Sequence, residues 1–342
     1  MNFELTDDQR SIQRTARDFL ASSYPPAEVR RLAYDTRAHA AEGGGSGGFE
    51  DAGWAAMCEL GWPALLVPEE HGGLGLGVVE LAVVQEELGA ALAPSPFLST
   101  VAAAAVIADA GTDEQRERWL PALAAGEARG AVATVLDDVG WTAVPDADGA
   151  DVIVVREDDA WSLATETSAE PVQALDPTRR LWRVRAEGRL EPLAGEGERA
   201  FDIVATALAA ESVGVARRAM DMAVEYAKER EQFGRPIGAY QAVSHACAQM
   251  LLEVEGARSV VLYAAWALDH EPESGPLAAS MAKAYAADAG RRVTSAALQV
   301  HGGIGFTWEH DLHFFLKRAQ ANAHAYGDGA AHRERIAALT GL

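Results

Sequence analysis

Val243, Cys247, Met250, Val254, Ala257, Val261, Ala264 and Leu268 follow one another at intervals of 4, 3, 4, 3, 4, 3 and 4 residues. Such a spacing returns to one side of a 3.6-residue helix at every turn, so the stretch buries a continuous stripe only as a long helix against other helices. Ala209, Val213, Ala216, Met220, Ala223 and Ala227 repeat the pattern one helix earlier. The short Phe233–Tyr240 turn between the two requires antiparallel packing, and the many alanines favour close approach. Helical patterns at about 277–300 and 312–325 complete a four-helix bundle.

The rest of the chain divides around this bundle. Between about 130 and 200 the pattern changes to short runs, Val152–Val155, Trp161–Leu163 and Leu181–Val184, separated by Asp, Gly and Pro, which is the pattern of strands and turns. Before it, Thr6-Asp7-Asp8-Gln9 has the form of a capping box and is followed by Ile12, Ala16, Phe19 and Leu20 at helical spacing. Further helical patterns occupy about 79–92, 98–110 and 113–125, and Gly43–Gly48 reads as a flexible surface loop. The expected fold is mainly α with a small β insert: an N-terminal helical domain (1–128), a middle β domain (129–200) and the C-terminal bundle (201–342).

Composition excludes several functions. With 29 Lys+Arg against 51 Asp+Glu the net charge is −22, which repels phosphate backbones and anionic lipid. Nucleic-acid binding and peripheral membrane attachment are therefore not expected. Cys58 and Cys247 form no CxxC pair, so no disulfide framework or zinc site is signalled. Met1–Arg10 lacks the basic and apolar regions of a signal peptide, and no apolar run reaches the ~18 residues of a membrane span, so a cytoplasmic setting is expected. Glu-x-x-His and His-Glu-x-x-His are absent, and neither Gly73-x-Gly75-x-Gly77 nor Gly303-x-Gly305 completes a G-x-G-x-x-G, so no metal and no Rossmann-type site is expected.

Two helix-end sequences remain. Arg230-Glu231-Gln232-Phe233-Gly234-Arg235-Pro236-Ile237-Gly238 closes one long helix before Gln241 opens the next. Macrodipole and turn preferences account for Arg230, Gly234 and Pro236, but not for Gln232 and Gln241 together. Gln299-Val300-His301-Gly302-Gly303-Ile304-Gly305-Phe306 places three glycines beyond a second helix, where backbone N–H groups can receive an anion and a ligand can approach the main chain.

The stretch Arg217–Gln241, together with Gln299–Gly305, resembles the acyl-CoA dehydrogenase family. So do Leu5–Gln9, the Pro68–Gly77 loop and the Gly111–Gly126 segment, so the resemblance spans most of the chain in order. It implies an N-terminal helical domain, a middle β domain and a C-terminal four-helix bundle, with FAD as cofactor and desaturation of an acyl-CoA thioester between its α and β carbons as the activity. It further implies that Arg230 contacts the pyrophosphate of a neighbouring chain's FAD, that Gln232, Phe233 and Gln241 lie along that cofactor, and that Gln299, Gly302 and Gly303 hold its adenosine and pyrophosphate end.

Two departures shape the functional expectation. The family's catalytic Glu lies near the C-terminus in a Tyr-Glu-Gly-Thr-like turn, and this chain has Tyr326 there, within His324-Ala325-Tyr326-Gly327-Asp328-Gly329; the alternative position falls on Val204. A tyrosine with an ordinary pKa near 10 is a poor base at neutral pH. The nearest carboxylates, Asp328 and Glu211, each require a local register shift. In the middle domain, Thr134–Gly140 replaces the family's flavin-ring loop, the following Trp-Ile-Thr/Ser strand is missing, and the segment is short. The chain thus resembles the short subunit of the heteromeric α2β2 dehydrogenases that bacteria use on steroid side-chain CoA esters. That implies a related partner chain in a heterotetramer, supplying the flavin-ring pocket and the base, and an electron-transfer flavoprotein as acceptor. The alternatives are a self-sufficient homomeric enzyme using Asp328 or Glu211, and a non-catalytic scaffold. His301, Trp308, His310 and Tyr326 are read by default as packing residues, with a ligand-facing role as the alternative.

Overall fold

Thr6 begins the first helix as the sequence requires. Its hydroxyl accepts the Gln9 N–H at 3.2 Å while its own N–H donates to Gln9 Oε1 at 2.9 Å, opening α1 (Asp7–Ser23). The computed structural model describes residues 4–42, 49, 51–158 and 160–342, with backbone alone for 35–42. The Gly43–Gly48 loop lies outside the described residues. After α1 come α2 (Pro26–Glu42), α3 (Asp51–Glu59), α4 (Val78–Ala91), α5 (Phe97–Ala110) and α6 (Asp113–Ala125). The sequence reading passed over α2, whose first residue is a proline; at that position its missing N–H and fixed φ cost nothing. A second capping box, Thr112 with Gln115, opens α6.

Eight strands follow: β1 (Gly130–Ala133), β2 (Leu136–Asp137), β3 (Gly140–Pro145), β4 (Val152–Glu157), β5 (Ala160–Ala164), β6 (Thr167–Val172), β7 (Leu181–Ala186) and β8 (Glu191–Pro192). Then come α7 (Glu198–Glu229), the short pair β9 (Glu231–Gln232) and β10 (Arg235–Pro236), and α8 (Gln241–His270), α9 (Gly275–His301), α10 (Leu312–His324) and α11 (Gly329–Thr340).

The chain forms two compact units. One comprises residues 29–81 and 94–204. In it, β1 pairs in parallel with β4, and β5 and β8 extend that sheet antiparallel; β2, β3, β7 and β6 form a second, antiparallel sheet. Ala131, Ile153, Val155 and Ala164 of the first sheet share a core with Trp141, Val144, Trp182 and Val184 of the second. The unbroken apolar run Val152–Val155 is buried along its whole length, as a strand covered on both faces should be.

The other unit comprises residues 1–28, 82–93 and 205–342. Met250, Val254, Ala257, Val261, Ala264 and Leu268 are all buried on α8, as the 4–3 spacing requires, whereas Val243 and Cys247 at its start are half-buried. The bundle also gains α11, tied to α9 by Arg333–Asp288 at 3.1 Å and by Arg335 donating to Ser280 Oγ at 3.1 Å. α4 crosses α7 on bare backbone: a Cβ on Gly214 would overlap the Glu86 carbonyl, and one on Gly89 the Glu211 carbonyl. Beside this crossing, buried Glu87 pairs with Arg17 of α1 at 2.8 Å and Arg217 of α7 at 2.9 Å, and buried Glu86 with Arg217 at 3.3 Å and Arg258 of α8 at 3.2 Å. Burial pushes the Glu87 carboxyl upward, but Arg17 and Arg217 outweigh it and hold the group below the usual carboxylate range.

Candidate functional site: two helix ends brought together

The two helix-end motifs converge within one unit. Glu253 and Arg292 form an ion pair at 2.7 Å between α8 and α9, and Tyr285 lies over Gly256, which fixes the helices antiparallel. Counting outward equally from that pair, at the same rise per residue, brings Gln241 level with the Gly302–Gly305 segment. From α7, Tyr226 stacks on His301 with ring centroids 4.6 Å apart, and the Arg230 N–H donates to the Tyr226 carbonyl at 2.8 Å. Arg230 and Gln241 therefore approach the end of α9 from its two neighbours, although the sequence motifs lie about sixty residues apart.

The Gln232 amide donates to the Glu231 carbonyl at 2.9 Å, but the other side-chain donors gathered here are not used by the described residues. Among the described residues, none offers the side chains of Arg230, Gln241 or Gln299 a hydrogen bond or ion pair, and all three are exposed. β9 and β10 form a tight hairpin, Arg235 opposite Gln232, whose central residues Phe233 and Gly234 have φ of +52° and +81°. A left-handed phenylalanine costs on the order of 1–2 kcal/mol. This one is also 93% exposed, so the chain bears strain to hold an aromatic ring in water. Across from it, the Gly302 N–H closes α9 onto the Leu298 and Gln299 carbonyls, and Gly305 is buried against His301. The three glycines thus do not form one row of free N–H groups. Gly302 and Gly303 instead leave open space above the backbone, since a Cβ on either meets nothing within 4 Å. A guanidinium, two amides and an open stretch of glycine backbone suit a diphosphate-containing cofactor that passes close to the main chain.

In the Ala325–Gly329 turn, Tyr326 and Gly327 are left-handed, with φ of +54° and +88°. The His332 Nε2 lies 2.9 Å from the Tyr326 carbonyl, and Lys283 of α9, fully buried, donates from Nζ to the Gly327 carbonyl at 2.8 Å. The Asp328 carboxylate caps α11, accepting the N–H groups of Ala330 and Ala331 at 2.9 Å each; these bonds, Ala331's first, hold it below the usual carboxylate range. Glu211 of α7 is buried and ion-paired with buried Arg318 of α10.

Residues 6–127 match the family model for the acyl-CoA dehydrogenase N-terminal domain, and residues 198–340 that for its C-terminal domain. The chain belongs to the acyl-CoA dehydrogenase family. This dehydrogenase is 39% identical over 319 residues to acyl-CoA dehydrogenase IpdE2 of Mycobacterium tuberculosis (strain ATCC 25618 / H37Rv), covering 93% of this chain and 92% of that one. It is 36% identical to IpdE2 of Mycolicibacterium smegmatis (strain ATCC 700084 / mc(2)155), covering 85% and 88%. Among solved structures it superposes on a variant of the Tcur3481–Tcur3483 steroid ACAD with TM-score 0.84 and 27% identity, over 98% of both chains. The ChsE4–ChsE5 complex from Mycobacterium tuberculosis shares the fold, with TM-score 0.85, 24% identity, and coverage of 100% of this chain and 99% of that one.

Within this acyl-CoA dehydrogenase, the two carboxylates considered as bases are committed to the fold: Asp328 to a helix cap and Glu211 to a buried ion pair. No group of three or more potential metal ligands occurs among the described residues. The residue missed by sequence reasoning is Lys283, which sits in Met281-Ala282-Lys283-Ala284 and looks there like a solvent-facing helix residue. Burial pushes its ammonium down to about 8, against the pull of Asp328 and Asp288. The unfolded lysine titrates at its ordinary 10.5. Below the folded value both states are protonated and the folded state carries the whole cost of the buried charge; between the two values the folded state sheds the proton first and the cost disappears. Stability is expected to rise with pH through that window by at most roughly 3 kcal/mol, and Lys283→Met to remove the rise. Urea titrations from about pH 7 to 11 measure this; a wild-type profile parallel to that of the variant would refute it.

Proposed function

We propose that this chain is one subunit of a heteromeric, FAD-dependent acyl-CoA dehydrogenase that desaturates a steroid side-chain CoA ester. The observation that carries the reading is an imbalance. Arg230, Gln232, Phe233, Gln241, Gln299, Gly302 and Gly303 are all exposed, whereas Tyr326 and Val204 stand where the resemblance puts the family's base, and both substitute carboxylates are engaged elsewhere. In this reading Arg230 neutralises the diphosphate, Gln232 and Gln241 donate along the cofactor, Phe233 shields it from water, and Gln299 with Gly302 and Gly303 receives its adenosine end. FAD, when bound, supplies the acceptor for the hydride leaving the β carbon. A related partner chain supplies the flavin-ring pocket and the carboxylate that removes the α proton, and an electron-transfer flavoprotein carries the electrons onward in the cytoplasm. The likeness to a steroid ACAD of two proteins, at 27% identity over nearly the whole chain, supports both the partner and the substrate class. None of the described helices is long and apolar enough to cross a membrane.

Co-expression tests the reading. The chain alone should purify colourless, and with a related acyl-CoA dehydrogenase chain from the same organism should yield a yellow complex holding fewer flavins than chains. A lone chain with full flavin occupancy and dye-reducing activity would overturn it in favour of the homomeric alternative.

A further inference from the structure

The loop that follows α9 is pinned at its base and apolar at its tip. At the base, His301 and His310 meet edge to face with centroids 4.6 Å apart, and Tyr226 stacks against His301 at the same distance. Both imidazoles are fixed by hydrogen bonds: His301 Nδ1 lies 2.8 Å from the Ala297 carbonyl, and His310 Nδ1 accepts the Leu312 N–H at 3.2 Å. Gly305 is buried so close to His301 that a Cβ there would lie 2.9 Å from the His301 Cβ, which holds the middle of the loop down. Between these fixed points Ile304, Phe306 and Trp308 face water, 41%, 74% and 57% exposed. Trp308 is also held in place, by the Lys317 ammonium 4.6 Å from its ring centroid and by His313 edge-on at 5.1 Å. This overturns the expectation that Trp308 is a packing residue: the fold grips it from the side and leaves more than half of it outside.

We propose that this loop is the surface by which the chain grips a related acyl-CoA dehydrogenase chain, with Trp308 as a rigid anchor seated in an apolar pocket of that partner. The proposal rests on the two-chain reading above and adds the residues that make the contact. Continuity supports it: the loop leaves the same helix end as Gln299, Gly302 and Gly303, so a chain that brings its cofactor to them must also pass over residues 304–308. Chemistry supports it as well. An aromatic side chain already held in one orientation loses little freedom on binding, and tryptophan dominates the residues that carry interface energy. Charge points the same way, because on a chain of net charge −22 an apolar patch is where a second protein can approach with least repulsion.

The test uses the full chain and the related acyl-CoA dehydrogenase chain that yields the yellow complex on co-expression, with association measured by calorimetry and analytical ultracentrifugation. Trp308→Ala is expected to weaken association roughly 30-fold, the effect of a typical hot-spot truncation, and Trp308→Phe to retain most of the affinity. Phe306→Ala tests the loop independently, and the melting temperature of each lone variant should match wild type because both rings are mostly exposed. Wild-type affinity in the Phe306→Ala/Trp308→Ala double variant would overturn the anchor while leaving the two-chain reading intact. Failure of the wild-type chains to associate, or self-association of this chain through the loop, would overturn both. Weakened association in Trp308→Ala together with undiminished flavin in Arg230→Ala would sustain the anchor and overturn the cofactor assignment.

Discussion

An Arg230→Ala chain, assembled with its partner, is expected to lose most of the visible flavin absorbance of the complex while keeping its fold and its assembly. The side chain is exposed, so truncating it removes no packing, and α7 ends at this point whether or not the guanidinium is present. What it removes is a charge-assisted contact to a diphosphate, worth about 1.5–3 kcal/mol, or roughly 10–150-fold in cofactor affinity. Arg230→Lys should recover part of this, since an ammonium keeps the charge and loses the two-pronged geometry. Flavin content per complex after gel filtration, and the free FAD needed to restore it, give the measurement. Wild-type flavin content in the alanine variant would remove Arg230 from the cofactor site.

The second large effect is expected at the Glu211–Arg318 pair. Both side chains are almost completely buried, so Arg318→Met should take this ion pair from the buried Glu211 carboxylate and cost about 3–5 kcal/mol in a chemical denaturation experiment. The double variant Glu211→Met/Arg318→Met should recover most of that loss, because two apolar side chains of similar length replace two charges that must otherwise be desolvated. Glu211→Gln carries the mechanistic test. If Glu211 serves the bundle rather than the chemistry, the assembled Glu211→Gln enzyme keeps its rate of dye reduction; a collapse of kcat in a folded variant would return Glu211 to the role of base.

The sequence made the long elements plain because their signals are local. The 4–3 seam on α8 is written in one line of text, and Thr6–Gln9 and Thr112–Gln115 announce two helices through contacts three residues apart. α2 was hidden because Pro25-Pro26 resembles a break, though a proline in the first turn opens a helix as readily as one elsewhere ends it. α11 was hidden because Gly329–Thr340 concentrates its apolar residues on no clear face; it is held instead by a capping aspartate and two arginine contacts to α9. At the site, residue types were legible and their meeting was not. Nothing in the order of residues joins Tyr226 to His301 or Lys283 to Gly327, since each contact depends on the register of helices far apart in the chain. Asp328 shows the limit most clearly: a carboxylate near an expected base position is indistinguishable from a helix cap until the next helix is seen.

The backbone crossing of Gly89 with Glu211 and of Gly214 with Glu86 also bears on how the chain is made. α4 leaves the ribosome more than a hundred residues ahead of the glycine it packs against, an interval on the order of ten seconds at ordinary rates of synthesis. Until α7 and α8 arrive, Glu86 lacks both Arg217 and Arg258 and cannot be buried with its charge balanced, while Glu87 has only Arg17 of α1. The helices of that unit therefore cannot mature in the order in which they are translated. A nascent chain stopped before residue 205 holds the whole of the unit built from residues 29–81 and 94–204, but leaves α1 and α4 without the helices they attach to.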